Sequence, residues 1–583
     1  MSGTDTQWDV VICGGGLAGL TLARQLRREL PALRVAIVEK TSRPLPIAAH
    51  KVGESSVELG TAYFESLGLR EYLERAQLLK FGLRFFPGGG HLPLPERTEI
   101  GPWREPVLRS YQLDRGRLEQ DLRDMNEQDG VTLFEGTRVA GIELGKGGAR
   151  HRVHMQGTHT GTLDTRWVVD ASGRAALIKR QLKMRRRSRH VGNAGWFRVA
   201  GRVLLDELLT EPCPAWHEVP GASSRWRSTN HLMGTGYWAW VIPLSGDNTS
   251  IGVVTHDQVH GFETICTYAR VMEFLRTYEP ALFRRLDGVP PLDFRCLKNY
   301  SHNVARCWST DRWAIVGESG AFTDPLYSPG SDFIGLANTF TTELIGAEVA
   351  GQDIDASTKR FNADYRALVS ATIDIYSDAA ATYGHPRAFA VKYYWDAFIY
   401  WNYTCQYWFQ KIYRLGDKTS NEIRIAGIRF VELSGYMQAL FGAWAALQPE
   451  APTPGFIRMP VLPSLLADSH YDMQKQLTPV ETLALMRQRT MEAEQIAAEL
   501  VVRLLLEYGP TAGPAILRRA GFERWRLTFP RAGEPSIASD ELDRTFGVVQ
   551  RHPEWARALR FVTDPAARGS FDRPDPHDHP GSP

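Results

Sequence analysis

The run GGGLAG, Gly14 to Gly19, carries the first spacing in this chain that can do chemistry. Gly14, Gly16 and Gly19 occupy the three positions of a G-x-G-x-x-G pattern, whose roles are a tight turn, close backbone approach to a ligand, and close helix–strand packing. Leu17 and Ala18 open the helix that follows, and its free N–H groups and positive dipole end suit a pyrophosphate. Glu39 closes the next apolar run, VAIVE, 20 residues after Gly19. A carboxylate there accepts hydrogen bonds from ribose hydroxyls and disfavours a 2′-phosphate, so the set reads as a site for an adenine dinucleotide.

The elements that position these residues are legible. WDVVIC is a strand buried on both faces, LAGLTLARQLRREL a helix with a broad apolar face, and RVAIVEK a second strand. Strand, glycine turn and helix recur at DTRWVVDASGR, which places Asp170 at a strand end, and at DRWAIVGESGAFTDP, which places Gly317, Glu318, Asp324 and Pro325 in a far downstream loop. Distant loops converging on one ligand suit FAD, whose long body several segments cover. Between them, LDRGRLEQDLRDM reads as a helix, and TGYWAWVIPLSGDNTSIGVVT alternates as an antiparallel hairpin turning at SGDN. Trp238 and Trp240, at i and i+2, share one face of its first strand. The expected fold is α/β: a Rossmann-like FAD-binding domain, an inserted antiparallel-sheet substrate domain, and a mainly helical C-terminal region. The expected boundaries are 1–350 for the core, with the insert at about 80–110 and 190–300; 351–570 for the helical region; and 571–583 for a disordered, Pro/Asp/His-rich tail.

Composition narrows the function classes. The 583 residues are 43% hydrophobic and 23% charged, with a net charge of +2. This is an ordinary globular balance, with no field steering the protein to nucleic acid. Six scattered cysteines form no C-x-x-C pair. That speaks against a disulfide framework or a metal site and for a reducing compartment. No signal-peptide pattern and no apolar run of membrane-spanning length is present, so the expected location is cytoplasmic. The segment VKYYWDAFIYWNYTCQYWFQKIY, Val391 to Tyr413, reads either as a helix packing its rings into a core or as the wall of an aromatic substrate pocket.

In order along the chain, these motifs resemble those of the flavin-dependent monooxygenases and, within them, the flavin-dependent halogenases. The glycine fingerprint comes first, then KVGESS, YQLDRGRLEQDL, VVDASGR, WAWVIP and GESGAFTDPLYSPG. The resemblance implies FAD, used as FADH₂ with O₂, and contacts from Lys51, Gly53, Glu54, Ser55, Gln112, Arg115, Asp170, Gly317, Glu318, Asp324, Pro325 and Gly330. Glu318 replaces the family's usual Asp, one methylene longer but still an acceptor. No second G-x-G-x-x-G is present, so reducing equivalents come from transient NAD(P)H or from a separate NAD(P)H-dependent flavin reductase. WAWVIP matches the halogenase W-x-W-x-I-P, which implies that Trp238, Trp240 and Pro243 stand between flavin and substrate. LLKFGLRFF resembles K-x-G-x-x-F and puts the family's reactive lysine on Lys80. In the family, a flavin C4a-hydroperoxide oxidises halide, and the resulting hypohalous acid travels to that lysine. Burial of such an amine lowers its pKa and frees its lone pair.

The stretch DPLYSPG departs from the pattern. The family's turn carries chloride or bromide on two backbone N–H groups, and here Pro329 replaces one donor with a ring nitrogen that has none. Losing one such bond weakens an anion by about 1.5–3 kcal/mol. Tyr327 stands where tryptophan-specific members carry Glu, which points to a phenolic or pyrrole-like substrate, free or carrier-bound. Tyr327, Ser328 and Pro329 are therefore expected at the substrate side. The alternative is an FAD-dependent aromatic hydroxylase with a halogenase-like fold and no working halide site.

Overall fold

The computed structural model describes residues 7–46, 53–415, 417–450, 454–459, 463–521, 525–528 and 536–539, together with residues 559 and 562. Lys51 and the tail at 571–583 lie outside them.

The first sheet is built around Gln7–Cys13, whose apolar run VVIC is fully buried. It pairs in parallel with Val35–Val38 on one side and Gly161–Asp170 on the other. Thr132–Phe134 and Trp313–Ile315 extend the sheet in parallel, and Trp308–Ser309 closes one end. The chain leaves the first strand toward one neighbour and returns later to the other. The C-terminal end of Gln7–Cys13 is thus a topological switch point, where open α/β sheets bind their ligands. Helices Leu17–Glu29 and Gly330–Val349 pack together there, tied by Asn338 Nδ2, which donates to the Ala18 carbonyl at 3.0 Å.

The second sheet runs Pro291–Leu297, Gly192–Ala200, Asn248–His256, Tyr237–Pro243, Thr229–Gly234, Leu83–Phe86, Thr98–Gly101, Gly455–Arg458. Its pairs are mostly antiparallel. Within the mainly helical 351–570 region, Gly455–Arg458 is a strand that joins the sheet edge in parallel beside Thr98–Gly101. Period-2 alternation divides the sheet between two cores. Tyr237, Ala239 and Val241 face one core with Phe274 and Leu275, while Trp238, Trp240 and Ile242 face the other, on the first sheet's side.

A buried ion pair locks the far side of this sheet. Arg97 donates to Glu279 at 3.3 and 2.9 Å, and Tyr237 donates its hydroxyl to the same carboxylate at 2.9 Å. Glu279 is fully buried. Breaking a buried pair strands the surviving charge, so Glu279→Gln is expected to destabilise the protein by about 3–5 kcal/mol in urea unfolding. A change below about 1 kcal/mol would contradict the pairing.

The C-terminal region is helical, with long helices Asp355–Ser377, Pro386–Ile399, Asp417–Leu447 and Pro479–Arg519. The aromatic segment begins within Pro386–Ile399 and passes through a π-helical turn at Tyr400–Cys405. No helix among the described residues is long and apolar enough to cross a membrane.

Candidate active site

The glycine fingerprint folds for a physical reason at each position. Gly14 has φ +122, and a Cβ on it would lie 2.4 Å from the Ala171 carbonyl oxygen. At Gly19 a Cβ would lie 2.0 Å from the Gly14 oxygen, so this glycine works behind the loop as a packing residue and does not line the cavity. Gly14, Gly16, Leu17, Ala18 and Glu39 line one end of a cavity of about 900 Å³. Glu39 braces the loop: its carboxylate accepts from the Gly15 N–H at 2.6 Å and from Thr41 N–H and hydroxyl at 2.9 and 2.7 Å.

The same cavity continues past Gly53, Glu54, Ser55, Arg115, Gly317, Glu318, Asp324, Pro325 and Gly330. Arg115 spans from Glu119 to the Gly53 carbonyl, and Glu54 is anchored by Arg198 Nε at 2.7 Å. Asp324 is fully buried and accepts from Tyr300 Oη at 2.5 Å, from His190 Nε2 at 2.8 Å and from the Leu326 N–H at 2.9 Å. Those donors hold its carboxyl below the usual range despite burial.

Two expected cofactor contacts lie behind the wall. Asp170 spends its oxygens on Ser172 and on the Ile178 N–H, closing its own turn. Gln112 is fully buried and donates to Thr229 Oγ1 at 2.9 Å. Both shape loops that face the cavity without lining it. An Asp at a strand end reads in sequence as a ligand contact or as a turn anchor, and here the local N–H groups claim it.

Trp238 and Trp240 form the opposite wall, their rings 5.7 Å apart. Gly252 makes this possible, since a Cβ there would meet the Trp240 ring at 2.3 Å. Pro243 ends the strand away from the cavity lining. The indole N–H groups of Trp196 and Trp238 are buried, lack a protein partner and belong to rings that line the cavity. The glycine cradle, these orphaned donors and the length of the cavity fit a large dinucleotide such as FAD.

A second cavity, of about 570 Å³, lies on the other side of the turn at Tyr327–Pro329. It is lined by Lys80, Glu58, Tyr327, Asp332, Tyr393 and Tyr400, and it extends between Asp355–Ser377 and Asp417–Leu447. Pro329 and Phe333 line both cavities; Ser328 lines the first. The two chambers therefore share a thin wall.

Lys80 is fully buried, and its Nζ donates to Ser55 Oγ at 2.8 Å and to the Ser56 carbonyl at 2.9 Å. Ser55 itself lines the first cavity, so one hydroxyl spans the gap between the chambers. Burial pushes the ammonium down to about 7, against the pull of Glu58 and Asp332. Tyr327 donates its hydroxyl to Asp396 at 3.0 Å and stacks on Tyr393 at 5.7 Å. Asp396 is held in turn by Lys392 and by Gln438, each at 2.7 Å. Tyr327 is thereby a fixed wall, with its proton committed.

The site contains residues that motif reading passed over. Glu58 and Asp332 sit in the first turns of their helices, where an acidic side chain reads as a dipole partner. Tyr393 and Tyr400 belong to the aromatic segment, which does both things expected of it: Trp395 and Phe398 pack inside the core, while Tyr393, Tyr400, Trp401 and Tyr407 line the second cavity.

Comparison with known proteins agrees with this geometry. Residues 7–271 match the family model of an FAD binding domain. The chain is 27% identical over 435 residues to flavin-dependent halogenase chlA of Dictyostelium discoideum, covering 68% of this chain and 70% of that protein. It is 25% identical to a 1H-pyrrole-2-carbonyl-[peptidyl-carrier protein] chlorinase of Pseudomonas fluorescens, covering 61% and 77%. By sequence the chain is similar to flavin-dependent halogenases, and its residues 7–271 to FAD-binding domains. Its fold is that of the crystal structure of halogenase PltM, with a TM-score of 0.56 at 16% identity over 84% of this chain and 96% of that one. The protein is accordingly an FAD-dependent oxidoreductase, and its two chambers lie on either side of the wall at Pro329 and Phe333.

Proposed function

We propose that this protein is a flavin-dependent halogenase acting on a phenolic aromatic substrate held in the second cavity, with Lys80 as the residue that delivers the halogen. The observation that carries this reading is the buried amine at the shared wall: Lys80 opens into one chamber while bonding Ser55, which lines the other. Bound reduced FAD would supply, with O₂, the oxidising power that turns halide into hypohalous acid. The chain's own residues do the rest. Gly14, Gly16 and Arg115 would hold the cofactor, with Glu39 at its ribose. Phe333 and Pro329 keep the substrate out of the first cavity. Lys80, pushed down to about 7, is largely a neutral nucleophile at mildly alkaline pH. A neutral amine attacks hypohalous acid; an ammonium only hydrogen-bonds it.

The substrate class follows from the second cavity's lining. It is dominated by aromatic and aliphatic side chains, which favours a ring over a charged amino acid. Tyr327, its hydroxyl committed to Asp396, stands where the resemblance puts a Glu in tryptophan-specific members. A free phenol is the preferred substrate; a carrier-bound pyrrole is the second choice, and a separate flavin reductase is the electron donor. A panel of phenols, pyrroles and tryptophan with an added reductase tests this. Turnover of tryptophan above every phenol would overturn the substrate assignment.

Pro329 sets the halide side. It caps the helix Gly330–Val349 and brings no N–H, while Ser328 spends its own N–H on the Pro325 carbonyl at 2.9 Å. The N–H groups of the helix's first turn have no intrahelical partner and remain for the anion. Pro329→Ser restores a donor and is expected to lower the halide KM about 10- to 100-fold. An unchanged halide KM in the folded variant would refute the missing-donor account.

A further inference from the structure

Asp332 stands at the second cavity in a state that helix capping does not explain. Its Oδ1 accepts the Gly60 N–H at 2.7 Å, and Gly60 is needed there because a Cβ would come within 2.6 Å of Ser331 and 3.0 Å of Oδ1. Its Oδ2 is buried and makes no hydrogen bond of good geometry, the Tyr400 hydroxyl being a nearby side-chain donor besides Lys80, and the side chain lines the same chamber as Lys80. A buried carboxyl oxygen left poorly paired is costly, and a perturbed, cavity-lining group of this kind is a candidate functional position.

We propose that Asp332 is the proton-exchanging partner of Lys80, acting first as acid and then as base on the two halves of halogen transfer. The proposal rests on the reading of Lys80 given above. In the first half the neutral Lys80 amine attacks the halogen of hypohalous acid. The N–halogen bond forms, the halogen–oxygen bond breaks, and the departing hydroxide takes the Asp332 proton and leaves as water. The site then holds a protonated haloamine beside an ionised Asp332. In the second half the phenol ring attacks the halogen. The C–halogen bond forms, the N–halogen bond breaks, and the ring carbon's proton passes to Asp332. Lys80 returns as free amine and Asp332 as acid, and the sum is hypohalous acid plus arene giving haloarene plus water.

The charged and titratable groups around Asp332 agree with this assignment. Burial dominates and pushes its carboxyl up to about 8; the nearby Tyr400 hydroxyl, the Gly60 N–H and Lys80 oppose the rise, and Glu58 adds to it. Tyr376 and Cys405 also sense its charge. Burial raises Glu58, but His470 and the other partners outweigh it and hold the carboxyl low, so it stays ionised and cannot supply the proton. The competent form has Lys80 neutral and Asp332 protonated. Activity is lost on the acid side as Lys80 takes a proton and on the alkaline side as Asp332 loses one. The two groups titrate as a coupled pair.

The test measures halogenated product per reduced flavin oxidised, against pH, in bromide, because hypobromous acid ionises at higher pH than hypochlorous acid. The wild-type ratio is expected to peak between about 7 and 8. Asp332→Asn keeps the acceptor for Gly60, and its ratio is expected to fall about 100-fold and to lose the alkaline limb. Asp332→Glu is expected to retain the bell shape. A wild-type profile without an alkaline fall, or an Asn variant that keeps the wild-type ratio, overturns the proposal while leaving Lys80 in place. A wild-type enzyme that yields no halogenated phenol overturns the reading beneath it.

Discussion

Replacing Lys80 by Ala is expected to lower halogenated product per reduced flavin by about 10²- to 10⁴-fold, the range spanned by losing a positioned proton-transfer or nucleophilic group. Among the described residues, its amine is the cation at the head of the second cavity that directly contacts a residue of the first. Its stem is buried and its head is fixed by Ser55 and Ser56. Lys392, behind the cavity wall, cannot take its place, being committed to Asp396, Gln438 and the Ile375 carbonyl. An ordinary lysine would be neutral to only about one part in 250 at pH 8, whereas burial brings Lys80 down to about 7 and makes the neutral form abundant. Lys80→Arg should fail as Ala does, since a guanidinium keeps its charge at any relevant pH. Product mass spectrometry alongside reduced-flavin absorbance reads both numbers. An Ala variant that halogenates at the wild-type ratio would remove Lys80 from the reaction.

Gly14→Ala is the second large effect, and it falls on cofactor binding. The backbone at Gly14 has φ +122, where an L side chain is strained, and the added Cβ would sit 2.4 Å from the backbone oxygen of Ala171. That oxygen belongs to a loop fixed by Asp170, so the cradle must open. Backbone strain alone is about 1–3 kcal/mol, and with the clash added the expected loss of FAD affinity is at least about 100-fold. Titration of apoprotein with FAD, followed by flavin fluorescence, measures it. A Gly14→Ala variant with the wild-type Kd would show that the loop does not cradle the pyrophosphate.

Much of this was readable from sequence because the signals are local. The glycine spacing, the i, i+2 tryptophans and the VVIC strand each dictate structure within a few residues, and the structure places them where those rules require. What was not readable depends on long-range closure. Asp170 and Gln112 have the types of cofactor ligands, but neighbours at Ile178 and Thr229 occupy them. Asp332 looks like a helix-capping acid until Gly60 and the second cavity surround it. The strand Gly455–Arg458 is short, and nothing in its four residues names Thr98–Gly101 as its partner. Its pairing draws the C-terminal region onto the substrate-side sheet, and the second cavity exists only because the helices of that region cover Lys80's side of the wall.

The most direct test of the central claim is the mass of the product made from a simple phenol by the enzyme, FAD, a flavin reductase, NADH, O₂ and chloride or bromide. The account predicts replacement of a ring hydrogen by halogen, with the isotope pattern of the halide supplied and strict dependence on Lys80. A product that gains one oxygen in place of halogen, formed equally well without halide, would contradict it.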